Sequence, residues 1–135
     1  MGITYNEITL KNALDVGDVR RGLIKKNEIR QVTVQALVDT GAWTIVINEE
    51  TREKLGLEVT GYEDSMLADG TKDLFYLVGP LEVWWEDRHH VCEAILMPNA
   101  TDILLGAIPL EGMDLTINPK RGLVGKHGDK IFHRL

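Results

Sequence analysis

The sequence predicts a small all-β domain of barrel or sandwich type, and three observations carry this prediction. Short runs of β-branched and other apolar residues recur along the chain, turn-forming residues separate them at short intervals, and only one segment has a clear helical pattern. The length of 135 residues suits one domain with one core. Residues 1–135 are therefore expected to form a single domain.

The predicted strands share an apolar or alternating pattern bounded by turn residues. They cover residues 3–10, 29–38, 44–47, 65–68, 74–78, 81–85, 91–97, 103–105, 115–117 and 122–124. The Asp69-Gly70 pair between two apolar runs predicts a tight hairpin. Residues 86–90 are the expected turn before the next strand, and the glycines and basic residues of segment 15–26 predict a turn or an exposed hairpin.

Residues 48–55 form the one clear helical pattern. Asn48 can cap the first turn, Glu50 and Lys54 have the spacing of a helical ion pair, and Gly56 can take the left-handed C-terminal position. Residues 107–113 are expected to add one helical turn or two, so the predicted domain has one or two short helices.

Composition limits the possible partners. Fifteen basic against 21 acidic residues give a formal charge of −6, which disfavours nucleic acid as a partner. No apolar stretch has membrane-spanning length and the N-terminus lacks a signal-peptide pattern, so a cytoplasmic protein without a membrane partner is expected. Cys92 is the lone cysteine and is predicted to be an inert buried thiol. His89 and His90 lack a matching ligand pair elsewhere, so neither a metal nor another cofactor is expected.

The segment that carries chemistry is 36–42, Ala-Leu-Val-Asp-Thr-Gly-Ala, followed at once by another β-branched run. A buried strand delivers the carboxylate of Asp39 to its end, where burial makes ionisation costly, and Gly41 leaves room for another chain to approach. An Asp at such a junction is usually only a turn former. The functional interpretation depends on a second element, residues 103–106, Ile-Leu-Leu-Gly.

Together the two elements resemble the retropepsin-like aspartic peptidases, the clan of retroviral proteases and their small bacterial relatives. The resemblance covers roughly residues 29–124, including the short helix after the first motif and the hairpin between the two elements. It implies a barrel of the retropepsin type, closed or partly open, with one lobe per chain. Trp43 and Ala107 stand where retroviral proteases carry an acidic residue and an arginine.

The resemblance also implies a role for each matching residue. Asp39 would be the catalytic carboxylate, and a flap would close over bound peptide. The other implied positions are Thr40, Gly41 and Ala42 for support of the dyad and contact with the substrate backbone, Ala68, Asp69, Gly70 and Thr71 for the flap, and Leu104, Leu105 and Gly106 for the second family element.

The predicted function is an aspartic endopeptidase that is active as a homodimer. The mechanism needs two carboxylates that share a proton, and the sequence contains one Asp-Thr-Gly, so a second copy of the chain must supply the other Asp39. The expected partners are a second copy and a peptide or protein substrate. Two alternatives remain open: a catalytically inactive binding or dimerisation module with the same fold, and a self-processing domain of a longer precursor.

Overall fold

The computed structural model describes residues 4–66 and 70–127. Within these residues the secondary structure is mostly strand. The strands are β1 (Tyr5–Asn12), β2 (Gln31–Val38), β3 (Ile45–Ile47), β4 (Glu58–Met66), β5 (Lys72–Trp85), β6 (Arg88–Leu96), β7 (Ile103–Leu105), β8 (Leu115–Asn118) and β9 (Gly122–Gly125). The helices are α1 (Ala13–Arg20), α2 (Glu49–Leu55) and α3 (Ala107–Gly112), with a single 3-10 turn at Lys26–Glu28.

Six strands close into a barrel. Neighbouring strands follow the order β1, β2, β7, β3, β6 and β5, and β5 then pairs with β1 to complete the ring. β4 extends the sheet from β5, and β8 and β9 form a separate hairpin. This architecture confirms the predicted all-β barrel and shows that the barrel is closed.

The core fills the inside of this barrel with apolar side chains from every strand of the ring. Helices α2 and α3 contribute Leu55 and Leu110 to the same cluster. Its fully buried members include Leu10, Ala36, Ile45, Ile47, Val78, Leu81, Val83, Ala94 and Leu105. The alternation of buried and outward positions in the sequence therefore sets which face of each strand points inward.

Helix α2 forms as predicted, because each of its local signals is used. The Asn48 side chain accepts a hydrogen bond from the backbone N–H of Thr51 at 2.9 Å, and Gly56 takes the left-handed conformation with φ 63°. Lys54 Nζ lies 3.0 Å from Glu50 Oε1. The predicted short helix after residue 106 is also confirmed as α3.

The prediction of a turn or exposed hairpin at residues 15–26 is wrong, because the chain forms helix α1 there. Asn12 caps this helix by accepting from the backbone N–H groups of Leu14 and Asp15. Asp15 is buried and accepts three hydrogen bonds from Arg30, one from its backbone and two from its guanidinium, at 2.9 to 3.0 Å. This tertiary contact outweighs the weak helical propensity that Gly17 confers.

Two predicted strand boundaries are also corrected. Residues 74–78 and 81–85 belong to one long strand, β5, which shifts register between Val78 and Leu81 and so changes partners without ending. The predicted turn at 86–90 is shorter, since β6 already begins at Arg88. Arg88 is only 6% exposed and donates from Nη1 to the carbonyl oxygens of Met113 and Asp114, which holds it inside the structure.

The hairpin of β4 and β5 begins earlier than predicted, since β4 starts at Glu58. Gly70 follows in a left-handed conformation with φ 85°, as a turn residue would. The end of the predicted strand 65–68 and the turn residues Ala68 and Asp69 lie outside the described residues. No helix among the described residues has both the length and the apolar character needed to cross a membrane.

Candidate active site

Asp39 lies at the end of β2, directly after Val38. Its backbone N–H donates to the carbonyl oxygen of Leu105 at 3.0 Å, which continues the parallel pairing of β2 with β7 by one residue. Asp39 is half-buried. Strand β2 therefore places Asp39 in a fixed position at its C-terminal end, where the residue stays partly exposed.

The residues after Asp39 form a tight turn that orients the carboxylate. The backbone N–H of Gly41 donates to Asp39 Oδ1 at 2.9 Å, and that of Ala42 donates to the carbonyl oxygen of Asp39 at 3.1 Å. A Cβ atom added at Gly41 would lie 3.0 Å from Asp39 Oδ1. Thr40 is exposed on this turn.

The two sequence motifs meet at Gly106. A Cβ atom added at Gly106 would overlap the carbonyl oxygen of Thr44 and lie 2.5 Å from that of Ala42. Gly106 has extended backbone angles, φ −94° and ψ −171°, so it is required for space and not for conformation. The turn at residues 39–43, which we call the Asp39 turn, therefore packs directly against the backbone of the second element.

Hydrogen bonds fasten this contact on both sides of Gly106. The backbone N–H of Ala107 donates to the carbonyl oxygen of Ala42 and that of Ile108 donates to the carbonyl oxygen of Trp43, both at 2.9 Å. The positions that depart from the retroviral pattern, Trp43 and Ala107, are thus on neighbouring segments that backbone hydrogen bonds join. The Trp43 side chain is 45% exposed.

A row of apolar side chains crosses the outer face of the barrel beside Asp39, and sequence reasoning missed it. Its members are paired from strand to strand, and each faces away from the core cluster. We call it the cross-strand row: Tyr5, Leu37, Leu104, Val46, Ile95 and Leu77. The wholly apolar runs of β3 and β7 are the signal that could have found it, because a strand without alternation is covered on both faces.

The cross-strand row changes in exposure along its length. Val46 and Ile95 in the middle of the row are buried. Leu37 and Leu104 on one side and Leu77 at the other end are half-buried, and Tyr5 is 50% exposed. We call the end with the exposed Tyr5 the open end of the row. Asp39 is next to it, two residues after Leu37 on the same side of the sheet. The open leucines form an apolar surface beside the carboxylate.

The proposed flap positions are separate from this arrangement. The structure brings together the motif 39–42 and the second element with Leu104, Leu105 and Gly106. Gly70 and Thr71 are exposed and lie directly before β5, between the two strands of the β4–β5 hairpin. Ala68 and Asp69 are outside the described residues.

The cysteine and the histidines near residue 90 are engaged in packing within the domain. Burial raises the pKa of the Cys92 thiol to about 11, which agrees with the predicted inert thiol. The His89 ring stacks on Trp84 with a centroid distance of 4.3 Å, and the His90 ring lies against Gly112. Across residues 4–66 and 70–127, no three His, Cys, Asp or Glu side chains are grouped so that they could hold a metal ion.

Known proteins are similar to this chain over the region that contains the two motifs. The sequence profile of the family described as aspartyl protease matches residues 26–107, more than half of the chain. Among solved structures, a retropepsin-like aspartic protease from Rickettsia conorii is similar over 91% of this chain and 91% of its own, with 18% sequence identity and a TM-score of 0.46. No curated protein sequence is significantly similar. The family match spans both the Asp39 turn and the element that ends at Gly106, and the chain therefore belongs to the aspartyl protease family.

Proposed function

We propose that the protein is an aspartic endopeptidase in which Asp39 from each of two subunits forms the catalytic dyad. The observation that carries the proposal is that backbone hydrogen bonds join the Asp39 turn to the segment that follows Gly106. These hydrogen bonds, and the one from the Gly41 N–H to the Asp39 carboxylate, hold the half-buried Asp39 in one orientation. General acid–base catalysis requires a group that is fixed in this way. Membership of the aspartyl protease family supports the same chemistry.

The mechanism follows from the coupling of two carboxylates. When two Asp39 side chains lie within about 3 Å, like-charge repulsion keeps one of them protonated while the other stays ionised. The ionised carboxylate takes a proton from a water molecule, which attacks the scissile carbonyl carbon. The protonated carboxylic acid donates to the carbonyl oxygen, and proton transfer to the amide nitrogen completes the cleavage.

A second subunit is needed because the sequence has a single Asp-Thr-Gly. Two-fold symmetry would place the two copies of Asp39 on opposite sides of one axis, with each turn facing its equivalent. The exposed Thr40 side chain is available for a contact with the partner at that axis. The family resemblance supplies the remaining assignments in this proposal: Asp39 is catalytic, and Thr40, Gly41 and Ala42 support the dyad and the substrate backbone.

The substrate in this proposal is an extended peptide that lies over the open end of the cross-strand row. Half-buried Leu37 and Leu104 offer apolar contact beside Asp39. The β4–β5 hairpin serves as the flap that covers the peptide and excludes water, a role that the sequence assigns to Ala68, Asp69, Gly70 and Thr71.

The deciding experiment compares the wild-type protein with Asp39→Asn on a peptide library whose cleavage products are identified by mass spectrometry. Asp39→Asn should lower the cleavage rate by more than about 10³-fold, because the variant can no longer supply a general base. Asp87→Asn, which changes an exposed turn residue, is the matched control and should cleave at the wild-type rate. Unchanged cleavage by Asp39→Asn would refute the assignment.

Light scattering over a dilution series tests the dimer separately. A mass of two subunits would supply the second carboxylate, whereas a monomer at every concentration, even with peptide present, would contradict the dyad. The alternative of a non-catalytic binding or dimerisation module is favoured by one observation, the departure at Trp43 and Ala107. A wild-type dimer that binds peptides and cleaves none of them would support that module.

A further inference from the structure

One hydrogen bond joins strand β1 to the residue directly before β7, at the open end of the cross-strand row. The Tyr5 hydroxyl donates to Asp102 Oδ1 at 3.2 Å, across 97 positions of sequence. Tyr5 is opposite Leu37 in the β1–β2 register, and Leu37 is paired with Leu104. Asp102 lies two residues before Leu104 and therefore next to the same patch.

Asp102 lies in a bend directly before β7, and its hydrogen bond to the outward-facing Tyr5 places its carboxylate on the outer face. Ile103 and Leu105 pack in the core, so Leu104 between them faces outward, on the same side as Asp102. Asp39 is on the same face of the sheet, beyond Leu37. At about 3.3 Å per residue, the Cα atoms of Asp39 and Asp102 are separated by about 13 Å along the strand direction, with the two leucines between them.

The charge of Asp102 has no cationic partner within the part of the chain that the structure describes, where the ion pairs involve other acidic groups. Its hydrogen-bond donor is a neutral phenol. The hydrogen bond to Asp102, and secondly the charge of that carboxylate, raise the pKa of Tyr5, so the phenol stays protonated at neutral pH. One oxygen of Asp102 is thus oriented by Tyr5, and the negative charge remains available to a ligand.

We propose that Asp102 makes the peptidase prefer a lysine or arginine side chain beside the cleaved bond. The inference rests on the proposed function, since it concerns the peptide that Asp39 would cleave. The methylene groups of such a side chain lie over Leu37 and Leu104, and its cationic end reaches the carboxylate of Asp102. Tyr5 is a positioning residue that holds one oxygen of this carboxylate beside the two leucines.

Two-fold symmetry extends this preference to both sides of the cleaved bond. Each subunit contributes one Asp102, and the two copies lie on opposite sides of the dyad axis. A single extended peptide therefore meets one Asp102 before the scissile bond and another after it. Peptides with basic residues on both sides should be cleaved faster than peptides with one.

The test uses three matched peptides that differ at one position next to the cleaved bond and carry lysine, norleucine or glutamate there. For the wild-type protein, kcat/KM should be about tenfold higher with lysine than with norleucine, as expected for a charged hydrogen bond at a partly exposed position. In Asp102→Asn this ratio should fall close to one, because the amide no longer offers a negative charge to the lysine. Tyr5→Phe should lose part of the ratio, and Asp87→Asn should keep all of it.

Two outcomes would count against the proposals in different ways. A lysine-to-norleucine ratio that Asp102→Asn leaves unchanged would overturn the role of Asp102 while the peptidase assignment stands. If the wild-type protein cleaves none of the peptides, their binding to Asp39→Asn, measured by calorimetry, still tests the preference for lysine. Binding of the lysine peptide about tenfold tighter would then refute only the proposed catalysis, whereas equal binding of all three peptides would overturn the preference as well.

Discussion

Replacing Gly106 by alanine tests the contact on which the candidate active site depends. The added methyl group would lie 2.5 Å from the carbonyl oxygen of Ala42 and overlap that of Thr44. Ordinary carbon–oxygen contacts are about 3.3 Å or longer, so the two segments must separate by roughly 1 Å. Both neighbours are backbone atoms, and no side-chain rotation can relieve the overlap.

The cost follows from what this separation disturbs. Overpacking of a tight site costs about 1–3 kcal/mol. The same movement lengthens the two 2.9 Å hydrogen bonds that Ala107 and Ile108 donate to the Asp39 turn, each worth about 1 kcal/mol. We therefore expect Gly106→Ala to lower the free energy of unfolding by about 3–5 kcal/mol. This is a large part of the total stability of an ordinary domain.

Urea unfolding followed by circular dichroism measures this loss, at one fixed subunit concentration because association would add to the apparent stability. Gly17→Ala is the matched control, since Gly17 lies in helix α1 and an added Cβ atom meets nothing within 4 Å. That control should raise the free energy of unfolding by about 0.5–1 kcal/mol. A Gly106→Ala protein within about 1 kcal/mol of the wild type would refute the steric argument.

Two further predictions concern titratable groups. Because burial raises the pKa of Cys92 to about 11, its thiol should react with a maleimide at pH 8 about a hundredfold more slowly in the folded protein than in urea, and equal rates would contradict this burial. The hydrogen bonds from Arg30 lower the pKa of Asp15 in the folded state, so they stabilise the protein fully above the unfolded carboxyl pKa of about 4, and less as the pH falls through the lower folded pKa. Asp15→Asn should cost about 2 kcal/mol at pH 7 and progressively less in acid, as urea unfolding at each pH would show, and a pH-independent difference would contradict this linkage.

Local signals in the sequence predicted most of the barrel. The cap at Asn48, the left-handed position of Gly56 and the apolar run of β7 depend on neighbours a few residues away, so their pattern is visible in the chain itself. Helix α1 escaped prediction, because the contact that secures it, between Asp15 and Arg30, joins residues from different elements. The register shift that makes β5 one strand likewise depends on its partners β1 and β6.

The candidate site divides in the same way. The sequence alone marked Asp39 and Gly106 as members of two motifs, because the residues of each motif follow one another in the chain and form a recognisable pattern. Only the folded chain shows why Gly106 is a glycine, since the carbonyl groups that exclude a side chain belong to the other motif.

The sequence by itself determined the strand pattern, the acidic balance and the motif that assigns the chain to its family, because local sterics and hydrophobic periodicity are written in neighbouring residues. Tertiary structure alone decided that β7 lies beside β2, that six side chains from six strands form the cross-strand row, and that Tyr5 reaches Asp102. The physical reason is that strand order and register arise from burying all apolar faces at once, a condition on the whole chain that no short segment contains.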